Sequence, residues 1–589
     1  MTLRFIIKKL SQIRKKHINN RDFLLLLSVV VGIFSGFMAL IFKTLVFHLH
    51  HLLTDNFEFS YLLIFPLVGI GLTVLFRRYI IKDNVKHNIS SILYAISKRK
   101  SVMKAHKIYS SIFGAIVTAG FGGSIGLESP IISSGAAFGS NLARYLRLDY
   151  KQVTLLLACG AAAAISAIFN TPIAGVIFAL EVLMIDFSRF SLIPLLVASI
   201  TGTITTKLLY EQEIFLKFVV TEHFTTDDIF YYLLLGILSG FISCYFTKIY
   251  ILVQENFHKI KKFRNRIFLG SAILGLLIFL FPSLYGEGYE IVKEILNGDA
   301  IGIFRQSLFV NYIDNYFIFL GIFILLLFLK PIATSVTISA GGIGGIFAPS
   351  LFTGAILGFL FAFIFNSLGL GDTLSERNFA LVGMACVLGG VLHAPLTGFF
   401  LIAEITGGYE LFIPLMLATT VTYIVVKRIQ PDSIFTIHLA KRGELITHNK
   451  DKAVLSFMKL KSVIETNFVT VHPDNTLGEL IKVVAKSKRA IFPVVDEDNY
   501  LIGIVYLDDI REIMFNTEVY NTIFVHNLMV LPPAYISYFD TMDEVIKKFN
   551  DTNAWNLPVI DKAKYVGFVS KSKLFSVYRQ LLVDISQEQ

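Results

Sequence analysis

The chain has 589 residues, 54% of them hydrophobic and 16% charged, with a formal net charge of +10. A soluble chain of ordinary composition carries about 25% charged residues, so this balance excludes an average soluble enzyme. The basic excess is read as membrane-facing and topological, which argues against nucleic acid as a partner.

The first 21 residues, MTLRFIIKKLSQIRKKHINNR, are basic and amphipathic and do not lead into a short cleavable core. Their Lys and Arg residues place this segment on the cytoplasmic side by the positive-inside rule. Apolar runs near 23–46, 61–76, 191–207, 229–244, 267–281 and 316–329 are predicted membrane spans. From Thr154 to Leu180 no residue is charged, a run longer than the ~20 residues that cross a bilayer. Lys427, Arg428, Lys441 and Arg442 follow the last apolar segment and return the chain to the cytoplasm. Both termini inside imply an even number of crossings. Cys159, Cys244 and Cys386 fall in apolar segments at no metal-ligand spacing and are predicted to be packing residues. No nucleophile–base pair or metal-ligand cluster stands out, so neither an enzyme nor a required cofactor is expected.

The membrane part repeats itself. GAAAAISAIFNTPIAGVIFALE (160–181) overlays GMACVLGGVLHAPLTGFFLIAE (383–404) without gaps, pairing Gly160 with Gly383, Ala162 with Ala385, Pro172 with Pro395, Gly175 with Gly398 and Glu181 with Glu404. Upstream, GGSIGLESP (122–130) overlays GGIGGIFAP (341–349), pairing Gly126 with Gly345, Pro130 with Pro349 and Glu128 with Phe347. Internal repeats with Gly/Pro-interrupted helices mark transporters whose binding site lies near mid-membrane at the repeat interface. GLESP and GIFAP are each predicted to open a helix, since proline is tolerated in a first turn and the glycines let backbone approach a ligand. Helix N-termini present unpaired N–H groups and a positive dipole end. The repeat therefore points to an anion site, with Glu128 an ionisable group placed inside it.

At these motifs the sequence resembles the ClC family of chloride channels and chloride/proton antiporters, over about residues 22–443. GLESP resembles the family's G-(K/R)-E-G-P motif, GGIFAPSL its G-x-F-x-P motif, and SIFTIHLAKRG its final-helix segment. The resemblance implies an all-α polytopic membrane fold of two inverted repeats with broken and tilted helices. It implies transport of anions, chloride foremost, as a channel or as an anion/proton antiporter, by a homodimer in the cell membrane, here the bacterial inner membrane. Glu128 then corresponds to the gating glutamate, whose carboxylate blocks an anion position when ionised and leaves it when protonated or displaced. Burial of a carboxyl group lets proton and anion compete for one place.

Several positions depart from the family pattern. Lys86-His87-Asn88-Ile89-Ser90 stands at the first anion-binding motif, with His87 at its serine. A histidine can donate an N–H to an anion, and it can equally be a hydrogen-bonded loop residue. Phe435 stands at the central-site tyrosine, Ser129 replaces the glycine after the gate and Leu127 the usual basic residue. The anion is then expected to depend on backbone amides near Ile346 and Phe347. Val182 stands where many antiporters carry an intracellular proton-transfer glutamate and cannot carry a proton. Glu181 beside it reads foremost as a buried, paired carboxylate echoed by Glu404.

After a linker at 444–458 the composition becomes that of a soluble protein. FPVVDEDNYLIGIVYLDDI (492–510) is echoed by LPVIDKAKYVGFVSKSKLF (557–575), each a strand, polar turn, strand and helix start. TLGELIKVVAKS and TMDEVIKKFND supply an amphipathic helix before each. These units, 459–518 and 523–582, resemble a cytoplasmic α/β tandem of CBS domains, which implies an adenine nucleotide as a candidate ligand. The nucleotide pattern is incomplete: Asp509 is present with Tyr506 at the Thr position, and Ser570 with Lys573 at the Asp position. Dimerisation without a ligand is the other reading of the tail. A membrane-anchored ligand sensor that no longer conducts is the alternative for the whole chain.

Overall fold

The computed structural model describes residues 19–56, 63–82, 89–185, 188–209, 224–302, 309–312, 314–369, 373–408, 410–437, 439, 458 and 460–586. The chain divides into two compact units, Met1–Leu445 and Ile446–Gln589. His87, with Lys86 and Asn88, lies outside the described residues.

The first unit is helical. Its first half carries α1 (Asn20–Asn56), α2 (Phe65–Leu75), α3 (Ile89–Lys98), α4 (Lys107–Gly120), α5 (Glu128–Tyr145), α6 (Tyr150–Phe169), α7 (Pro172–Glu181) and α8 (Arg189–Leu209). The second half carries α9 (Ile229–Lys259), α10 (Phe263–Leu280), α11 (Tyr289–Asn297), α12 (Tyr316–Ala340), α13 (Phe347–Leu368), α14 (Glu376–Leu392), α15 (Pro395–Thr406) and α16 (Phe412–Ile429). Each helix has its counterpart eight places on, and the packing repeats too. α5 lies on α6 as α13 lies on α14, and α1 lies on α8 as α9 lies on α16. Eight of the described helices are long and apolar enough to cross a membrane.

The residues paired by the sequence repeat are those that shape these contacts. Gly160 meets Gly135 so closely that each carbonyl occupies the place of the other's missing Cβ, and Gly383 meets Gly354 in the same way. Gly175 rests on the carbonyl of Ala162, and Gly398 on that of Ala385. Small residues let helix backbones approach where lipid supplies no hydrophobic drive between helices.

The uncharged run 154–180 is not one span. Asn170 takes a left-handed conformation (φ 62°) and Pro172 opens α7, so the run is split into a 20-residue and a 10-residue helix. His393 (φ 56°) and Pro395 break the second half at the equivalent place. The run predicted at 316–329 continues to Ala340, through a fully buried Lys330 and Pro331. A charge ends an apolar window in the sequence, but inside a protein it can be held by carbonyl oxygens.

The two halves are tied by reciprocal carboxylates. Glu181, at the end of α7, accepts hydrogen bonds from the amides of Leu396 (3.1 Å) and Thr397 (2.8 Å) and from the Thr397 hydroxyl (2.7 Å) at the start of α15. Glu404, in the last turn of α15, accepts from the amides of Ile173 (3.0 Å) and Ala174 (2.7 Å) at the start of α7. Each helix thus has its orphan N-terminal donors satisfied by the other half of the repeat.

The second unit holds β1 (Ile464–Glu465), α17 (Leu477–Lys486), β2 (Ile491–Val495), β3 (Leu501–Tyr506), α18 (Leu507–Ile510), α19 (Val525–Leu528), β4 (Ile536–Ser537), α20 (Met542–Thr552), β5 (Asn556–Asp561), β6 (Lys564–Ser570) and α21 (Lys571–Ser586). Thr476 with Glu479, and Thr541 with Glu544, form capping boxes that start the two amphipathic helices. β2 and β3 form one hairpin, and the second sheet runs β1-β6-β5-β4. β1 thus lies at the start of the first repeat unit yet pairs with β6 of the second, while Val530 bridges back to Ile504 of β3.

Glu404→Ala is expected to remove about 1–2 kcal/mol of stability, the range for a charged helix cap, with Glu404→Gln losing less because one acceptor remains. Thermal unfolding in mild detergent measures this, and an unchanged transition for Glu404→Ala would show that the reciprocal caps contribute nothing.

Candidate anion site

Helices α5 and α13 begin side by side. Gly126 donates its amide to the Gly345 carbonyl at 2.8 Å, and Gly345 returns the bond to Gly126 at 2.7 Å. This two-residue antiparallel bridge brings together the N-termini of the two repeats, each with its proline (Pro130, Pro349) in the first turn. Ile346 directly precedes α13, its carbonyl accepting from the Ser350 amide (3.0 Å) and hydroxyl (2.7 Å). Phe347 is the first residue of α13, in the place that Glu128 holds in α5. First-turn amides have no acceptor inside their own helix.

Glu128 is fully buried. Its Oε1 accepts a hydrogen bond from the hydroxyl of Tyr289. Its Oε2 lies against the amides of Glu128 itself and Ala348, in contacts that fall short of hydrogen-bond geometry. The carboxylate therefore points back over Gly126, where any Cβ would collide with it. Gly126 is thus required on steric grounds. Ser129 stands similarly over Gly345, and its hydroxyl is buried without a hydrogen-bond partner.

Aromatic rings surround the carboxylate. Phe347 stacks on Phe169 at 5.5 Å between centroids, and Tyr289 meets Phe169 edge-on at 6.3 Å. Phe435 is buried in the same hydrophobic core, but among the described residues no hydrogen bond or ring contact links it to Glu128. Val182, at the end of α7, is buried.

Tyr289 was not singled out by motif. The signal was the run Gly286-Glu287-Gly288-Tyr289, a second carboxylate between glycines just ahead of a helix. Beside it lies a cavity of about 350 Å³, whose wall includes Lys43, Leu127, Glu287, Tyr289 and Glu290.

In the second unit Ser570 and Asp509 have different surroundings. Ser570 donates its hydroxyl to Glu465 at 2.5 Å, and Arg489 pairs with the other oxygen of Glu465 at 2.5 Å. Burial works against the Glu465 charge, but these bonds and the nearby Lys573 outweigh it and hold the carboxyl below its ordinary range. Asp509 is exposed in α18, near Tyr506, whose phenol is raised by burial and by the Asp509 charge.

Residues 71–427 match the model of the voltage gated chloride channel family, and residues 460–516 and 525–579 each match that of the CBS domain. The chain belongs to the voltage gated chloride channel family. Among its relatives is the "putative chloride channel protein ClcB-like" of Ralstonia nicotianae, 28% identical over 387 residues, covering 65% of this chain and 86% of that one. The "H(+)/Cl(-) exchange transporter ClcA" of Vibrio campbellii is 29% identical over 351 residues, covering 58% of this chain and 71% of the relative. Among solved structures, a slow cyanobacterial Cl-/H+ antiporter superposes with a TM-score of 0.62 at 22% identity, over 72% of this chain and 98% of that one. A CLC-type fluoride/proton antiporter gives 0.58 at 25% identity, over 70% and 96%. The family fold and the CBS pair expected from the motifs are thus present, in a multi-pass membrane protein.

Proposed function

We propose that this family member moves small inorganic anions, chloride foremost, along a path through the meeting point of α5 and α13, and that Glu128 gates it. One observation supports this reading above the others: a buried carboxylate lies against helix-start amides of both repeats, in the position an anion would take. An ionised Glu128 is then a tethered anion that fills the site. Protonation removes its charge and its claim on the amides, so an anion replaces it. The Ser129 hydroxyl and the Ile346 and Phe347 amides are the remaining donors, in a chain whose Phe435 brings none. His87 is assigned to the inner end of the path on the motif alone.

Exchange of anion for proton is the first reading, since proton and anion compete for one carboxylate and named relatives are exchangers. Val182 favours a second reading, a pH-gated channel, because it offers no proton acceptor at the end of α7. A sensor that does not conduct is not favoured. The basic N-terminal segment, with Lys427, Arg428, Lys441 and Arg442 after the last apolar helix, supports a cytoplasmic side for both termini, with the protein in the bacterial inner membrane.

Glu128→Gln is expected to abolish proton-linked movement and to leave anion flux insensitive to pH, since a neutral amide cannot alternate between blocker and bystander. Simultaneous anion and proton flux from proteoliposomes checks this. Wild-type pH dependence in that variant would remove Glu128 from the gate, and a wild type that moves anions without protons would select the channel reading.

The protein is proposed to be a homodimer with one pathway per subunit. Mass measurement in mild detergent should give twice 66.0 kDa, and a purely monomeric species would end that reading.

For the tail, regulation by an adenine nucleotide is the proposal. A regulator acts only through unequal binding to two conformations. Ser570 is already bonded to Glu465, so a nucleotide that uses this hydroxyl must displace that bond. Calorimetry on the full-length protein should show heat with ATP, ADP or AMP that Asp509→Ala weakens at least tenfold. Silence with all three would leave the tail as scaffold.

A further inference from the structure

Along α5 every residue from Glu128 to Ala137 is buried. Glu128 is fully buried, as are Leu127 and Ser129 on either side. Its hydrogen bond to Tyr289 is therefore the connection to follow. Tyr289 is itself buried, but it forms part of the cavity wall, and so does Glu287, two residues earlier. The same cavity reaches the surface where Glu290 is exposed.

The loop that carries Glu287 is shaped to hold it there. Gly286 (φ +58°) and Gly288 (φ +91°) both take left-handed backbone conformations, which side chains disfavour. A Cβ on Gly288 would also strike the Phe352 ring. Lys330, fully buried, donates to the Gly286 carbonyl at 3.0 Å and sits 4.8 Å from the Phe352 ring centroid.

We propose that Glu287 is a proton-relay residue, exchanging protons with the cavity and passing them through the Tyr289 hydroxyl to Glu128. The proposal rests on the gate reading of Glu128. Toward the gate, the carboxyl O–H of Glu287 breaks as its proton reaches the Tyr289 oxygen, directly or over one cavity water. The phenol's own proton passes to Glu128 Oε1. Glu287 ends as a carboxylate, Glu128 as a neutral acid, and Tyr289 is unchanged. Release runs the same bonds in reverse, and no co-reactant is needed.

The surrounding charges suit a shared proton. Glu128 and Glu290 present negative charge to Glu287, while Lys43 of α1 and Lys330 of α12 present positive charge. His50, Tyr285 and Lys293 complete the titratable groups of the cavity wall. Two neighbouring carboxyl groups repel when both are ionised, which favours one shared proton between them.

The test is a pH step on the full-length protein in proteoliposomes, recording the onset of anion efflux and the proton flux. A positioned proton-transfer group contributes about 10²–10⁴ in rate. With cavity water as a partial substitute, Glu287→Gln should slow the acid-triggered onset at least about tenfold. Glu287→Asp should recover most of the wild-type rate, and Tyr289→Phe should be slowed like Glu287→Gln. In a Glu128→Gln background, adding Glu287→Gln should change the pH response no further. Wild-type onset and pH midpoint in Glu287→Gln would overturn the relay, and so would a Glu287→Asp as slow as the amide. If Glu287→Gln does not assemble, Tyr289→Phe decides, with a wild-type response overturning the proposal. Retention of pH dependence by Glu128→Gln alone would instead refute the gate reading, so the two failures are separable.

Discussion

A membrane gives a broken helix no water to satisfy its terminal amides, and each unsatisfied group in hydrocarbon costs several kcal/mol. The fold depends on that constraint. Irregular backbone at the Gly126–Gly345 bridge persists because protein surrounds it and because something negative completes it. In the structure the completing group is the carboxylate of Glu128, lying against amides of both repeats. A permanent protein–protein bond there would make a stable but inert junction. The Glu128 carboxylate instead has one hydrogen bond, from Tyr289, and its second oxygen has none.

The duplicated scaffold and the chemistry divide along symmetric and asymmetric positions. Paired residues do structural work: Gly160 and Gly383 allow close helix contact, Pro172 and Pro395 start helices, and Glu181 and Glu404 cap them across the interface. At the junction itself the halves differ. Glu128 is matched by Phe347, one bringing charge and the other a ring that stacks on Phe169. Two opposed carboxylates at one bridge would repel each other in a low-dielectric site, a cost that one acid facing one aromatic avoids. The reciprocal capping also ties Glu181 to the scaffold: three donors hold it in place.

Much of this was legible in the sequence because it depends on local rules. Glycine, proline and a lone carboxylate in an uncharged stretch mark helix starts and close approaches whatever their surroundings. The helix break at Asn170 was hidden because neither Asn170 nor Thr171 interrupts hydropathy; only backbone conformation does. Lys330 misled in the opposite sense, ending an apparent span within a continuous helix. Tyr289 and Glu287 could not be joined to Glu128 by pattern, since they lie some 160 residues away and meet it only through tertiary packing. In the tail, the capping boxes and strand runs were readable, but β1 is two residues long and pairs across the repeat, which no periodicity records.

A cluster of charges beside the junction follows from the same physics as the junction. Leu127 occupies the place where a basic residue is usual in the motif, and the basic groups beside Glu287 come from other elements. They are Lys43 of α1 and Lys330 of α12. Neither could stand so near a buried junction alone, because an isolated ammonium in a dry interior is very costly. Carbonyl oxygens of the Leu284–Gly286 turn and the face of Phe352 hold Lys330, and the negative charge of Glu287 acts on both lysines. Glu287 thus offsets part of the burial cost of both lysines. A carboxylate kept for that purpose, opening on a cavity and one tyrosine away from Glu128, already has what proton transfer to the junction requires.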